Sequence, residues 1–298
     1  MEHTNGVNGG QDKQELQNIQ QALAISYDPR TANEARQSTL QYLNDLKRRP
    51  DAPQYGFAFA SDASQPPHVR HFGLSLLEMS IKYRWDEHSD EQAATLQDWV
   101  ISLARQMTPQ DPLYLRNKIA SLWIEVAKRT WADTWIDMDH LLVNLWDEVD
   151  QEKAMMYRVF VLHVLETLSD DICVREDPVA MLRQEKLGQA LNEMMIPANL
   201  FQNHLETRQT VQEVRFTREG WLSRMCEFLV SLVRMQTNNN NDLLRVCAVR
   251  TLEALKPTVT WISLQALIET KCVDCVLDTI STGNESVQTV RALCLEGR

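Results

Sequence analysis

The chain has 298 residues, of which 44% are hydrophobic and 24% are charged, a mixture typical of a folded protein and not of a wholly disordered one. Only 9 glycines and 10 prolines are present, which disfavours β-sandwiches, barrels and doubly wound nucleotide folds because these need frequent turn residues. The formal net charge of −11 disfavours nucleic-acid wrapping by the whole surface and suits a partner with a basic face.

We expect no membrane association from this sequence. No apolar run approaches the ~20 residues that span a bilayer. Residues 1–13 are polar and lack the basic and apolar regions of a secretory signal.

Hydrophobic periodicity predicts helices along the chain and demands no strand. In chain order they cover about residues 11–26, 31–48, 51–62, 70–85, 90–107, 116–131, 134–149, 151–173, 178–207, 218–236, 242–255 and 261–280, and another starts at 286. Prolines at positions 67 and 112 open two of these helices, because the first helical turn tolerates a missing N–H.

An internal repeat relates two of the predicted helices. Residues 70–85, RHFGLSLLEMSIKYRW, align without a gap on residues 116–131, RNKIASLWIEVAKRTW, at an offset of 46, and weaker echoes begin at Arg158 and Arg245. A spacing in the forties with two amphipathic helices per unit is typical of HEAT or armadillo repeats. The sequence therefore predicts an all-α fold, a right-handed superhelical solenoid of HEAT-type helix pairs.

Three predicted helices carry a largely polar stripe at helical spacing. The stripes are Glu34, Ser38, Gln41, Asp45 and Arg48; His71, Ser75, Glu78 and Lys82; and Asn117, Ser121, Ile124 and Lys128. If these helices line one side of the solenoid, the stripes form a continuous wall of mixed charge. A solvated face without a partner is the alternative.

Residue types that carry chemistry elsewhere are interpreted here as structural. The six cysteines are predicted to be reduced core thiols, and Cys272 and Cys275 to pack inside a helix instead of serving as a metal or redox pair. Trp85, Trp131 and Trp135 are expected to pack between repeats. The acid-rich stretches 86–98 and 133–152 are expected mostly to solvate outer helices.

Catalytic signatures are missing from the sequence. It has no G-x-x-x-x-G-K-[ST], G-x-G-x-x-G, H-E-x-x-H or G-x-S-x-G motif, and its seven histidines are not spaced as a metal pair. We therefore predict that the protein is not an enzyme and has no catalytic residue, metal site or cofactor.

Two segments carry a resemblance to a known family. Residues 35–85, which include FAFASDASQPPHVRHFGLSLLEMSIKYRW, resemble the importin-β N-terminal domain. Residues 115–138, LRNKIASLWIEVAKRTWADTWIDM, resemble the start of the exportin-type region, with Ala132 in place of the family's proline, a departure expected to leave the pattern undisturbed. The chain thus resembles the karyopherin-β family, and within it the N-terminal part of an exportin of the exportin-five/Msn type.

This resemblance implies a domain order and a function. Residues 1–10 would be a disordered tail, and residues 11–110 would be the Ran-binding importin-β N-terminal repeats. Residues 111–298 would be exportin-type HEAT repeats, truncated at their C-terminus relative to a longer receptor. The whole protein would be a monomeric nuclear transport receptor that binds Ran-GTP and FG nucleoporins. It would shuttle between nucleus and cytoplasm and carry phosphorylated protein or structured small RNA as export cargo.

Given that family, the polar stripes become candidate contacts for the basic surface of Ran-GTP. The candidates are Glu34, Gln41, Asp45, Ser75, Glu78 and Ser121. Two alternatives remain open. One is a HEAT-repeat scaffold for protein–protein interaction without a Ran switch, and the other is a truncated product that keeps Ran binding but lacks the cargo-holding repeats.

Overall fold

A computed structural model describes residues 9–202, 213–236 and 242–282. Within these ranges the chain is helical, and extended pairing is confined to an isolated bridge between Trp131 and Trp135. The predicted all-α fold of HEAT-type helix pairs is confirmed. The right-handed superhelix stays a prediction.

The helices of the described ranges are numbered in chain order. They are α1 (Gly9–Tyr27), α2 (Asn33–Leu46), α3 (Ala52–Ser61), α4 (Pro67–Tyr83), α5 (Asp90–Arg105), α6 (Leu113–Thr130), α7 (Met138–Trp146), α8 (Gln151–Cys173), α9 (Pro178–Met181), α10 (Gln184–Met195), α11 (Ala198–Gln202), α12 (Gly220–Gln236), α13 (Asp242–Trp261), α14 (Leu264–Glu269) and α15 (Cys272–Thr282). A 3₁₀ turn, Trp85–Glu87, follows α4.

The helices form two compact units, and the division falls inside α6. Unit 1 comprises Met1–Met107 and Asp111–Leu122, and unit 2 comprises Thr108–Gln110 and Trp123–Arg298. The sequence predicts a change from importin-β-type to exportin-type repeats after residue 110. This change concerns the type of repeat, which the division into compact units does not test, so it stays a prediction. The predicted tail lies outside the described residues up to position 8, and residues 9 and 10 already belong to α1.

In unit 1, α1 packs on α2 and α3 packs on α4. One apolar core joins these four helices and includes Leu23, Leu46, Tyr55, Phe72 and Leu76. Each helix contributes an apolar stripe that it could not bury alone, so pairing removes these side chains from water.

In unit 2, α8 packs against α7 and α13, and α12 packs against α13 and α15. Trp131 and Trp135 are fully buried, and the Trp135 ring lies 4.8 Å from that of Trp123. The predicted packing role of these two tryptophans is therefore confirmed. Trp146, whose partners the sequence did not reveal, packs edge-on against Trp221 and Phe228.

Two predicted helices are interrupted in the structure. The helix predicted over 178–207 is divided into α9, α10 and α11, because Arg183 leaves the helical conformation with φ −132° and Pro197 follows α10. Its residues 203–207 lie outside the described ranges. The helix predicted over 261–280 is divided into α14 and α15 at Lys271, which adopts φ 52°.

One predicted helix is longer than expected. The predicted end near residue 255 lies two residues before Pro257, yet α13 continues through this proline to Trp261. Proline removes one intrahelical hydrogen bond, but tertiary contacts hold this segment. Leu255 and Thr258 are buried, and the Thr258 hydroxyl lies 3.3 Å from the Ser169 hydroxyl of α8. The helix predicted from 286 lies outside the described residues.

Candidate functional site

One surface of unit 1 joins α2, α4 and the first part of α6. The carboxylate of Glu78 on α4 forms an ion pair with the Lys118 ammonium on α6. The His71 ring, about two turns before Glu78 on α4, meets the Tyr114 ring, about one turn before Lys118 on α6, edge to face with centroids 5.5 Å apart. Lys47, which follows α2, places its Nζ 5.7 Å from the centre of the Phe72 ring on α4. We call this region the α2–α4–α6 surface.

The predicted contacts on α2 are exposed. Glu34, Gln41 and Asp45 lie on the side of the helix opposite its buried Leu43 and Leu46. The Gln41 side-chain amide donates to both carboxylate oxygens of Asp45 at 3.0 and 3.1 Å. These bonds hold the Asp45 carboxylate in place without neutralising its charge, so Glu34 and Asp45 present negative charge to solvent.

The predicted contacts on α4 and α6 are half-buried. The Ser75 hydroxyl donates to the Phe72 carbonyl oxygen at 2.7 Å, and Glu78 is occupied by Lys118. Ser121 lies one turn beyond Lys118 on the same side of α6. A partner at this part of the surface therefore meets side chains that already have partners within the chain, in contrast to the open carboxylates of α2.

The polar stripe predicted on α6 does not continue to its end. Ile124 and Lys128 are both buried, so the expectation that they extend a solvated wall is wrong. Lys128 is instead surrounded by three carboxylates, with its Nζ 3.0 Å from Glu125, 3.0 Å from Asp171 and 3.1 Å from Asp177. Burial lowers the pKa of Lys128, but hydrogen bonds to Glu125 and Asp171 outweigh it and the net shift is upward.

Sequence reasoning missed Lys47, Tyr114 and Lys118, which complete the α2–α4–α6 surface. Their importance comes from contacts between helices, and a stripe on one helix does not reveal such contacts. The sequence held only a weak signal for Lys118. In the alignment at an offset of 46, Lys118 occupies the position that the apolar Phe72 has in the preceding repeat.

The α2–α4–α6 surface also affects the protonation of His71. Burial, and then the charge of Lys118, lower the pKa of His71, so this histidine is neutral at pH 7.

The acid-rich stretches follow the prediction with one clear exception. Asp86, Glu87, Asp90, Glu91 and Asp98 are all exposed. Asp139, however, is buried in unit 2 and accepts hydrogen bonds from the Phe216 amide and the Trp221 indole, each at 2.6 Å. Burial raises the pKa of Asp139, and the two donors partly offset the rise.

A pocket opens between α3 and α5 of unit 1. It has a volume of about 340 Å³ and is lined by Pro50, Pro53, Leu96 and Trp99, together with polar residues at its rim. The Trp99 ring stacks on Phe57 at a centroid distance of 4.9 Å and an interplanar angle of 5°. The pocket thus offers an apolar floor, which includes Leu96 and Trp99, on helices that do not belong to the α2–α4–α6 surface.

The described ranges hold neither a metal-binding cluster nor a membrane-spanning helix. Their His, Cys, Asp and Glu side chains include no group of three or more arranged to hold a metal ion. In the same part of the chain, no helix combines the length and apolar character needed to cross a bilayer.

Comparison with known proteins agrees with this helical architecture. The importin-beta N-terminal domain family matches residues 39–125, a range that contains most of the α2–α4–α6 surface. The resemblance to the karyopherin-β exportins, among them the Msn5 and Exportin-5 type, is confirmed.

Particular relatives support this relationship along most of the chain. Protein MSN5 of Saccharomyces cerevisiae is 24% identical over 286 residues, which is 91% of this chain and 22% of the relative. Exportin-5 of Dictyostelium discoideum is 26% identical over 144 residues, 48% of this chain and 13% of the relative. Exportin-T of Mus musculus is 23% identical over 282 residues, 92% of this chain and 28% of the relative. The matched segments of this chain therefore cover between 13% and 28% of the length of these relatives.

Proposed function

We propose that this chain is the N-terminal region of a nuclear export receptor and that its α2–α4–α6 surface binds Ran-GTP. The observation that carries the proposal is the coincidence of this surface with residues 39–125, the range similar to the importin-beta N-terminal domain. The exposed carboxylates of Glu34 and Asp45 supply the negative charge that would steer a basic partner to it.

Export activity of the whole protein is part of the same proposal. Relatives over most of this chain are named exportins, which supports a receptor that shuttles between nucleus and cytoplasm. Its cargo would be phosphorylated protein or structured small RNA. We further propose that the receptor acts without enzymatic activity, since binding of Ran and cargo at different repeats can be coupled through an elastic helical array.

Titration of the 298-residue chain with Ran in its GTP and GDP forms tests the proposal. A strong preference for the GTP form is the expected result. Equal binding to both forms, or no binding, would contradict it and would favour the alternative of a HEAT-repeat scaffold without a Ran switch.

Two charge reversals locate the binding surface. Glu34→Lys with Asp45→Lys should weaken Ran-GTP binding by about tenfold at low salt and less at high salt, because exposed charges act over about a Debye length. Asp86→Lys with Asp98→Lys is the matched control, since it changes the net charge equally at exposed positions outside α2, α4 and α6. Equal weakening by both pairs would indicate a non-specific charge effect.

Binding of FG nucleoporins is proposed at the pocket between α3 and α5. Its apolar floor of Leu96 and Trp99 and its volume of about 340 Å³ suit a phenylalanine side chain. Thr95→Arg, at the rim, should block a phenylalanine–glycine peptide. Ala94→Arg on the same helix is exposed but does not line the pocket, so it should leave peptide binding unchanged.

A further inference from the structure

Three thiols of unit 2 meet between α12 and α15. The Cys226 side chain lies within hydrogen-bonding reach of both Cys272 and Cys275. The Cys275 thiol also donates to the backbone carbonyl oxygen of Cys226 at 3.1 Å. The predicted packing of Cys272 and Cys275 in a helix is thus correct, but the structure adds a third cysteine that is distant in sequence.

The electrostatic state of this cluster differs from that of the isolated thiols. Burial alone raises the pKa of both Cys173 and Cys247 to about 11. Hydrogen bonding from Cys226 instead lowers the pKa of Cys272 and Cys275, while the pKa of Cys226 rises. Cys272 is also the first residue of α15, where helix amides favour a thiolate. The cluster therefore combines a thiol that donates with sulfurs whose anionic form is stabilised.

An open groove runs past two of the three cysteines, Cys226 and Cys275, which are 4% and 7% exposed. It has a volume of about 440 Å³, and its lining includes Cys226 and Cys275 but not Cys272. The cations Arg234 and Lys271 line it together with the acids Asp274 and Asp278, so its charge does not exclude a small anionic or zwitterionic reagent. The lone thiol Cys247, by contrast, is fully buried against the sulfur of Met155 at 3.8 Å.

We propose that Cys226 and Cys275 form a reversible disulfide that links α12 to α15 when a low-molecular-weight disulfide such as glutathione disulfide is abundant. The Cys275 thiolate attacks one sulfur of glutathione disulfide, which forms a mixed disulfide and releases the first glutathione thiolate. Cys226 then loses its proton and attacks the Cys275 sulfur, which releases the second glutathione. Two protein thiols lose two electrons and two protons, and glutathione disulfide is reduced to two glutathione thiols.

The disulfide would respond to the redox state of the compartment. In reducing surroundings glutathione keeps such pairs as thiols, and the three cysteines then serve only as core residues. Under oxidising conditions the link would join helices whose residues are far apart in sequence, and closing such a loop stabilises the folded state.

Oxidation of the folded chain by glutathione disulfide tests the proposal. The chain used carries Cys294→Ser, so that this sixth cysteine cannot react. It is incubated with glutathione disulfide under native conditions and then alkylated. Non-reducing peptide mapping identifies the linked cysteines. We expect one linked peptide pair containing Cys226 and Cys275. Both thiols should lose alkylation about tenfold faster than Cys247, and reduction should restore them. The midpoint of thermal unfolding should rise on oxidation.

Variants separate the proposed link from other reactions. Cys275→Ala should abolish the linked pair, whereas the matched control Cys173→Ala should leave it unchanged. Should Cys275→Ala lose its helical circular dichroism, Cys226→Ala supplies the same test from the other helix.

Three results would overturn the proposal. The first is glutathione that stays on Cys275 while Cys226 remains alkylatable. The second is a Cys272–Cys275 disulfide as the main product. The third is oxidation of Cys247 at the same rate, because it would show that the thiols react only after unfolding.

Discussion

A Cβ atom added at Gly73 of α4 would lie 2.6 Å from the carbonyl oxygen of Gly56 on α3, and one added at Gly56 would lie 2.9 Å from the carbonyl oxygen of Gly73. The two helices therefore meet backbone to backbone at these glycines, since any side chain would hold them apart. Gly73 belongs to the segment RHFGL that carries the resemblance to the importin-β N-terminal domain. Close approach of α3 and α4 is thus a physical reason for a glycine at that position.

Gly73→Ala should destabilise unit 1. The added methyl group would also lie 2.8 Å from the amide nitrogen of Ala60, and overpacking of this kind costs about 1–3 kcal/mol. Urea unfolding combined with hydrogen exchange of α3 and α4 measures the loss. Gly188→Ala on α10 is the control, because nothing lies within 4 Å of its Cβ position and the change should stabilise its helix by about 0.5–1 kcal/mol. Equal effects of the two substitutions would contradict the close approach.

Ala132 occupies a backbone conformation that proline cannot adopt. Its φ is 62°, whereas the proline ring holds φ near −65°. Its amide also donates to the Trp135 carbonyl oxygen at 3.3 Å, a bond that proline could not make. Alanine in place of the family's proline leaves the resemblance intact, but it permits a backbone conformation that is closed to proline. The local turn in this chain differs from any that a proline at this position could form.

Two substitutions at residue 132 should have opposite effects on stability. Ala132→Gly should stabilise unit 2 by up to about 1 kcal/mol, because the left-handed conformation is unfavourable for a residue with a Cβ. Ala132→Pro should destabilise it by more than about 1 kcal/mol. Thermal unfolding followed by tryptophan fluorescence reports on the turn. Ala94→Gly, at an exposed position of α5, is the control and should destabilise its helix. A stable Ala132→Pro variant would show that the turn can change its conformation.

Lys128→Met should be among the most destabilising changes in unit 2. It removes the buried cation shared by the buried Glu125 and the half-buried Asp171 and Asp177, of which Glu125 keeps Arg129, and loss of one partner from a buried ion pair costs about 3–5 kcal/mol.

Lys186→Met is the matched control for Lys128→Met. Lys186 pairs with Asp133 at the surface, and Arg183 also pairs with that carboxylate. Loss of such a pair costs at most about 1 kcal/mol. Chemical unfolding of the two variants measures the difference. Similar losses would mean that the Lys128 site is hydrated and that its charges are screened.

Acidification should weaken unit 1 through His71 and His88. Burial lowers the pKa of both histidines, helped by the charges of Lys118 and Arg84. The unfolded chain therefore binds more protons than the folded chain below about pH 6.5, so stability falls as the pH drops through the lowered folded pKa values. Stability measured between pH 7.5 and 5.5 should show this slope.

Glutamine at both histidines isolates their contribution. His71→Gln with His88→Gln should flatten the slope, since glutamine does not titrate. The glutamine at position 88 can also keep a hydrogen bond with Ser80, whose hydroxyl lies 2.6 Å from Nε2 of His88. An unchanged slope in the double variant would assign the acid sensitivity to other groups.

Amphipathic periodicity predicted the helical class and most helix positions, because it depends on local spacing alone. The offset of 46 that aligned Arg70 with Arg116 relates α4 to α6, which begin at Pro67 and Leu113. The exposure of Glu34, Gln41 and Asp45 also followed from their spacing on one helix.

Other features arise from contacts between helices that are distant in sequence. Lys128 has the spacing of a surface residue, yet Asp171 and Asp177 from a distant segment make its burial favourable. Pro257 ends a helix by local rules, but packing against α8 carries α13 past it. Cys226 joins Cys272 and Cys275 only because α12 packs on α15. In each case the free energy comes from groups far apart in sequence, so no local pattern of residues contains it.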